Sequence, residues 1–186
     1  PRLLTMTKAY QAEALAKNQP LLLLHGGDAW QGSGYFKLNE GMANAELLSQ
    51  FGLDAMALGN HEFDLDTQKL ARFIQGVNFP VLAANLDSRD DPDLSRASNL
   101  KPFVIYAFDG NQKSPVTDLD HLPADKQLVA VIGLVLEDMA NISPNVGKLR
   151  FAKEVASAQA TVDLLQARGI QRIVALTHIG NARDLA

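Results

Sequence analysis

Short apolar segments that end abruptly in glycine or polar residues constrain the fold of this chain more than any other feature. Residues 21–25, 54–58 and 173–176 are too short to be helices, and glycine and polar side chains follow each of them. Such segments are typical of buried strands in a parallel sheet. Segments of helix-forming composition separate most of them. This alternation predicts an α/β fold in which helices cover a mixed, mostly parallel sheet.

Apolar periodicity and helix-ending residues predict the remaining elements. Further strands are predicted over residues 79–85, 103–108 and 128–136. Helices are predicted over residues 3–18, 40–51, 66–74 and 154–168. We expect Gly52 to cap the second helix and Gly169 to end the last one. The last helix is predicted to be amphipathic, with one apolar face formed by Val155, Ala158, Val162 and Leu165.

Two polar stretches are predicted to be surface loops, and one strand is predicted to lie near a sheet edge. Residues 87–100 and 109–126 are rich in turn-forming residues, so both are expected to lie on the surface as loops. The second stretch is predicted to be mobile or draped over the surface, because it has little apolar area to bury. Residues 103–108 alternate enough between apolar and polar side chains to be expected near a sheet edge.

Composition excludes several classes of function. The 186 residues include 17 basic and 21 acidic side chains, giving a net charge of −4, so a nucleic-acid polymer is not an expected partner. The chain has no cysteine, which excludes disulfide scaffolds, thiolate zinc sites and thiol catalysis. No apolar run approaches the roughly 18 residues that a membrane-spanning helix needs.

Three of the predicted strands are followed by residues of types that can bind divalent metal ions. Asp28 follows the first strand, Asn60 and His61 follow the second, and His178 follows the last. In parallel sheets, ligands bind beyond the carboxyl ends of the strands, so these side chains are expected to share one edge. Oxygen and imidazole ligands without thiolate suit Mn, Zn, Fe, Mg or Co.

Each of these residues alone also has a simpler interpretation. Gly-Gly-Asp is most often a turn, Asn60 after Gly59 is compatible with a left-handed turn residue, and a single histidine is most often structural. His25 is interpreted as a neighbour of the site or a core residue, and His121 as an exposed side chain. The shared sheet edge is what favours a metal site over these alternatives.

Two of these blocks resemble those of a known enzyme family. Residues 24–33 (Leu-His-Gly-Gly-Asp-Ala-Trp-Gln-Gly-Ser) and 57–64 (Ala-Leu-Gly-Asn-His-Glu-Phe-Asp) look like signature blocks of the 5′-nucleotidase branch of the calcineurin-like metallophosphatases. Residues 81–86, 130–134 and 177–180 resemble further blocks of that family. The resemblance covers nearly the whole chain. It implies a layered α/β/β/α sandwich with mixed, mostly parallel sheets and flanking helices.

The resemblance implies a role for each candidate residue. Asp28 would bridge two divalent metal ions, and Asn60 and His178 would bind the second of them. His61 would not be a ligand but the cationic contact of the phosphate. Asp64 would hold the His61 imidazole in place and keep it protonated. The ions would be Mn, Zn, Co or Mg.

Two side chains in the same block have structural roles in this interpretation. Glu62 is expected to cap or brace the loop, and Phe63 to pack underneath it.

The family pattern also contains blocks that this sequence lacks. The resemblance implies that residues 1–186 are a partial catalytic domain, truncated at both ends. An Asp-x-His block before Leu3, a Gly-His-x-His block after Ala186 and a C-terminal nucleoside-binding domain are absent from it. The fragment alone is therefore expected to be close to inactive.

The function that the resemblance implies is metal-dependent hydrolysis of phosphate from nucleotides by a periplasmic or exported enzyme. The same blocks occur in 2′,3′-cyclic nucleotide phosphodiesterases and nucleotide-sugar diphosphatases, which remain alternatives. A non-catalytic α/β binding module is an alternative of another class, although such a module would be expected to have lost Asp28 or His61.

Overall fold

Two sheets packed face to face form the centre of the fold. The computed structural model describes residues 2–185. Its strands are β1 (Leu24–His25), β2 (Ala55–Ala57), β3 (Val81–Leu82), β4 (Leu86–Asp87), β5 (Leu100–Lys101), β6 (Phe103–Asp109), β7 (Gln112–Val116), β8 (Gln127–Val135), β9 (Arg150–Phe151) and β10 (Arg172–His178). Its α-helices are α1 (Arg2–Ala16), α2 (Gly34–Asn39), α3 (Met42–Leu48), α4 (Thr67–Gly76), α5 (Met139–Ile142), α6 (Glu154–Gln166) and α7 (Asn181–Asp184). Short 3₁₀ helices occur at His61–Phe63 and Leu94–Arg96.

The two central sheets differ in strand direction. The first sheet has the order β1-β2-β3-β5, and all of its neighbouring strands are parallel. The second has the order β10-β8-β6-β7, in which β10 and β8 are parallel and the other neighbours are antiparallel. A small antiparallel pair, β4 and β9, stands apart from both. The predicted mixed and mostly parallel arrangement is therefore confirmed.

Side-chain alternation along the strands sorts the core into layers. Between the two sheets, Ala55 and Leu82 of the first face Val104, Tyr106 and Val131 of the second. On the other side of the second sheet, Ala130 and Ile132 of β8 pack with Leu165 of α6 and with Ile170, which follows that helix. On the other side of the first sheet, Met56 and Val81 pack with α3 and α4. These layers confirm the α/β/β/α sandwich.

The two sheets approach each other most closely at Gly133. A Cβ atom at this position of β8 would overlap the Cβ and carbonyl oxygen of Leu82 in β3. The N–H of Ala84 donates to the carbonyl oxygen of Gly133 over 2.7 Å, which ties the sheets together at that point. A strand glycine therefore marks a close backbone approach here.

The helix predicted over residues 40–51 is wrong in its extent. Ser33 caps α2, accepting the N–H of Phe36 over 3.3 Å, so a helix begins inside the predicted loop. Glu40 and Gly41 then adopt left-handed backbone angles, with φ of 50° and 87°, and separate α2 from α3. A Cβ at Gly41 would lie 2.5 Å from Nε1 of Trp30, so the packing of this buried indole requires the break.

Residues 103–108 lie near a sheet edge, as predicted, because β6 is next to the edge strand β7. Two further expectations are corrected. Gly52 does not cap a helix, because α3 ends at Leu48 and Ser49 is its capping residue. Val155 is not on the buried face of α6: it is 77% exposed, and the buried side chain in that turn is Glu154.

The stretch 109–126 contributes the edge strand itself. Asp109 pairs with Gln112 across a two-residue turn at Gly110 and Asn111, where Gly110 has a φ of 61°. This is a common hairpin turn, and it returns the chain alongside β6. Most of the stretch lies on the surface, as predicted, but it includes the strand β7.

Within residues 2–185, no helix has the length and apolar character needed to cross a lipid bilayer.

Candidate active site

The carboxyl ends of β1, β2 and β10 meet at one edge of the sandwich. A Cβ at Gly27, which follows β1, would lie 2.6 Å from the Gly59 nitrogen and 3.0 Å from Nδ1 of His178. A Cβ at Gly59, which follows β2, would overlap Oδ1 of Asp28. Glycine at these two positions therefore allows three strand ends to converge on the Asp28 carboxylate.

Asp28 is held in an uncommon backbone conformation. Its φ is 57°, in the left-handed region that residues other than glycine, asparagine and aspartate rarely adopt. Oδ1 accepts the backbone N–H of His61 over 3.0 Å, and Oδ2 lies 3.1 Å from Nε2 of His178. The carboxylate thus touches both of the other strand ends. Such local strain is typical of functional sites, where surrounding contacts maintain it.

A hydrogen bond to the backbone fixes the orientation of the His178 ring. Nδ1 lies 2.6 Å from the carbonyl oxygen of Gly26, and because a carbonyl can only accept, Nδ1 carries the proton. Nε2 faces Oδ2 of Asp28 over 3.1 Å. Such a contact forms either as an ion pair, when Nε2 also carries a proton, or around a cation that both atoms bind.

This donor set fits a divalent metal ion. Two ligands bound at about 2.1 Å with an angle between 90° and 110° are separated by roughly 3.0–3.4 Å, and the Asp28–His178 distance of 3.1 Å lies in that range. Histidine ligands commonly donate their other ring N–H to a carbonyl, as His178 does. Over residues 2–185, no group of three or more His, Asp and Glu side chains is arranged to hold a metal.

Asn60 lies next to this pair. It precedes the 3₁₀ helix His61–Phe63 and stands between Gly59 and His61, both of which contact Asp28. The side chain of Asn60 is partly exposed. Its amide oxygen is a ligand type that complements a carboxylate and an imidazole.

His61 and Asp64 are in contact, as the family resemblance implies. His61 Nδ1 lies 2.8 Å from Asp64 Oδ2, three residues further along the chain. The hydrogen bond that His61 donates to Asp64 raises the pKa of His61, against a smaller opposing effect of burial. The His61 side chain is 44% exposed, so its ring remains accessible while Nδ1 is held.

Glu62 braces two loops, which the sequence interpretation offered as its role. The side chain is fully buried and accepts four backbone N–H groups. Oε1 accepts those of Ala29 (2.6 Å) and Trp30 (3.2 Å), and Oε2 those of Asp28 (2.8 Å) and Gly59 (2.6 Å). Burial raises the pKa of Glu62, and the backbone donors partly oppose that effect.

The sequence and fold resemble those of nucleotide-hydrolysing enzymes. The 5′-nucleotidase of Diplobatis ommata is 32% identical over 173 residues, which are 92% of this chain and 27% of that protein. The crystal structure of a 5′-nucleotidase precursor from Thermus thermophilus superposes with a TM-score of 0.78 at 32% identity, over 94% of this chain and 31% of that one. Over nearly its whole length, this chain is therefore similar to one part of the 5′-nucleotidases.

A third relative has a different stated substrate. The structure of the NAD nucleotidase of Haemophilus influenzae matches with a TM-score of 0.76 and 30% identity, over 95% of this chain and 32% of that one. The chain spans less than a third of the length of each of these 5′-nucleotidase relatives. No protein-family model matches the sequence.

The two other histidines of this 5′-nucleotidase homologue are placed as the sequence suggested. His25 is partly buried beside the site, where its Nδ1 accepts the Gly27 N–H over 3.2 Å and burial lowers its pKa. With Asp28 and Ala29, it lines a cavity of about 1030 Å³. His121 lies on the surface, 85% exposed, and contacts Asp118.

Sequence reasoning missed three side chains that support the 5′-nucleotidase motifs from other elements. Ser143 Oγ donates to the carbonyl oxygen of Phe63 (2.6 Å), and Asn145 Nδ2 donates to that of Asp64 (2.8 Å). Asn44 of α3 donates to the carbonyl oxygen of Ala29 over 2.5 Å. No local sequence pattern marks them, because each acts across a long separation in the chain. Phe63 itself is fully buried against Phe151, which agrees with its expected packing role.

Proposed function

We propose that this chain carries part of the catalytic site of a metal-dependent phosphohydrolase that removes phosphate from nucleotides. The observation that carries the proposal is the contact between Asp28 Oδ2 and His178 Nε2, which places a carboxylate and an imidazole from two strand ends 3.1 Å apart, a separation that fits two ligands of one ion. The similarity to 5′-nucleotidases supports the nucleotide as substrate.

In this proposal, Asp28, Asn60 and His178 would hold divalent metal. Their one carboxylate, one amide and one imidazole form an oxygen- and nitrogen-rich donor set that suits Mn, Zn, Co or Mg. Such ions, when bound, stabilise charge on phosphoryl oxygens and lower the pKa of an attacking water. The remaining chemistry belongs to side chains of this chain.

His61 supplies positive charge to the phosphoryl group. Asp64 holds Nδ1 at 2.8 Å and raises the pKa of the ring, so the imidazolium form is favoured and Nε2 is left to donate. A charged donor aimed at the phosphoryl oxygens stabilises the negative charge that accumulates during transfer. Because Asp64 fixes the ring before substrate binds, little reorganisation is needed at the moment of reaction.

A dinucleotide is the second candidate substrate. The similarity to the NAD nucleotidase of Haemophilus influenzae favours it, since that protein is 30% identical over 95% of this chain. Location outside the cytoplasm is part of the same proposal, supported by the similarity to a 5′-nucleotidase precursor.

The proposal is tested with the full-length protein that contains these 186 residues. After removal of bound metal with EDTA, phosphate release from AMP is measured with added Mn²⁺, Zn²⁺, Co²⁺ or Mg²⁺, and NAD is assayed in parallel. We expect release from AMP that requires one of these ions and is lost again on chelation. Hydrolysis of NAD but not AMP would select the second candidate. Absence of hydrolysis with all four ions, or hydrolysis unaffected by chelation, would contradict the proposal.

A further inference from the structure

Glu62 is a buried carboxylate whose charge no cation balances. It is 0% exposed, and among the described residues no Lys, Arg or His forms an ion pair with it. Four backbone N–H groups within 3.2 Å take the place of a counter-ion. An isolated buried charge is costly, and a carboxylate is retained in such a place only when donors satisfy both of its oxygens.

The donors come from two separate loops. Asp28, Ala29 and Trp30 supply three successive N–H groups from the loop after β1, and Gly59 supplies the fourth from the loop after β2. Successive N–H groups of this kind form a concave anion-binding surface. A glycine-rich loop with that surface is a natural place to expect a substrate phosphate. Here Glu62 already fills it, so these amides are not available to substrate.

The same contacts set the conformation of Asp28. Its N–H is bound to Glu62 Oε2 (2.8 Å) while its own Oδ1 binds the N–H of His61 (3.0 Å). Glu62 therefore ties the backbone of Asp28 to the loop that carries Asn60 and His61. Together these contacts hold Asp28 in its left-handed conformation, with a φ of 57°.

We propose that Glu62 is a positioning residue that fixes Asp28 against Gly59 and His61, so that the three strand ends form one site. This inference rests on the proposed function for its consequence, because the site that Glu62 positions is the metal and phosphate site. The geometry gives Glu62 no contact with a reacting group; it acts through Asp28 and His61.

Glu62→Gln tests this role with little change in volume. The amide replaces one oxygen with an NH₂ group, so two of the four backbone N–H groups face a donor instead of an acceptor. Asp91→Asn is the matched control. Asp91 is 2% exposed and accepts the N–H groups of Asp93 (3.0 Å) and Leu94 (2.9 Å), with no contact to the candidate site residues.

The first readout is amide hydrogen exchange, measured by mass spectrometry on peptides of the full-length protein. For Glu62→Gln we expect faster exchange in peptides that contain residues 28–30 and 59. Asp91→Asn removes a buried carboxylate of similar burial but keeps the Oδ1 acceptor of the Asp93 and Leu94 N–H groups, and it should leave exchange of residues 28–30 and 59 unchanged. Unchanged protection of residues 28–30 and 59 in Glu62→Gln would overturn the proposal. This readout requires no turnover, so it stands even if the protein hydrolyses no nucleotide.

The second readout is Mn²⁺ affinity, measured with the metal alone at a temperature where both variants are folded. Loss of an outer contact to a metal ligand typically costs about 10- to 100-fold in affinity, and we expect that loss for Glu62→Gln but not for Asp91→Asn. Glu62→Asp, which keeps the charge, should recover part of the affinity and is the variant to use if Glu62→Gln does not fold. Equal Mn²⁺ affinity in Glu62→Gln and wild type would contradict the proposal.

Discussion

His61→Ala is expected to lower kcat for phosphate release from AMP by about 10²- to 10³-fold while the bound metal content stays unchanged. The reason is the division of roles at the site. Asp64 holds His61 through Nδ1, so the ring contributes charge to the phosphoryl group and no bond to metal. Turnover with saturating AMP and metal analysis of the same preparation measure the two quantities.

His121→Ala is the control for this substitution. His121 makes the same kind of contact, with its Nδ1 2.8 Å from Asp118 Oδ2, but lies on the exposed surface. It should leave both kcat and metal content unchanged. A His61→Ala protein that has lost its metal would show that His61 is a ligand and that the proposed roles are wrong.

Asp28→Asn is expected to abolish metal-dependent turnover and to weaken Mn²⁺ binding by more than about 100-fold. Loss of a residue that only contacts a metal ligand already lowers metal affinity by about 10- to 100-fold, and Asp28 is proposed as a ligand itself. Asparagine tolerates the left-handed φ of 57°, and its Oδ1 can still accept the N–H of His61. The substitution therefore removes the negative charge and the Oδ2 ligand while keeping the local backbone. Calorimetric titration with Mn²⁺ and phosphate release from AMP are the measurements.

Asp118→Asn serves as the matched control for the loss of one carboxylate. Asp118 lies on the surface, where it contacts His121. Its substitution should change neither Mn²⁺ affinity nor turnover. Wild-type Mn²⁺ affinity in Asp28→Asn would remove Asp28 from the proposed ligand set.

The converging strand ends could be predicted from the sequence because short-range patterns encode them. An apolar segment that stops at glycine and a polar side chain places that side chain at the carboxyl end of a strand. Asp28 and His178, which are far apart in the chain, therefore could be expected at one edge, and they lie 3.1 Å apart. The family resemblance implied the contact between His61 and Asp64, which lie three residues apart in the chain.

The features that could not be predicted depend on contacts between distant segments. Glu40 and Gly41 break a sequence with helical periodicity because Trp30 packs against Gly41. Val155 is apolar and at the right spacing, yet it is exposed, because the buried position in that turn belongs to Glu154. Glu154 is held there by the N–H of Glu137 and by Arg183.

The brace made by Glu62 illustrates the same limit. Its position in the Gly-Asn-His-Glu-Phe-Asp block suggested a capping or bracing role, but its four donors come from two loops that are well separated in the chain. The periodicity of the sequence does not predict which backbone N–H groups donate to a buried carboxylate. Tertiary structure alone supplies that information.

The most direct test is to locate Mn²⁺ by anomalous X-ray diffraction from crystals of the full-length protein. We predict an ion at about 2.0–2.3 Å from Asp28, Asn60 and His178, with His61 outside its coordination sphere. An ion bound elsewhere, with Asp28 Oδ2 and His178 Nε2 still in direct contact, would contradict the proposed site.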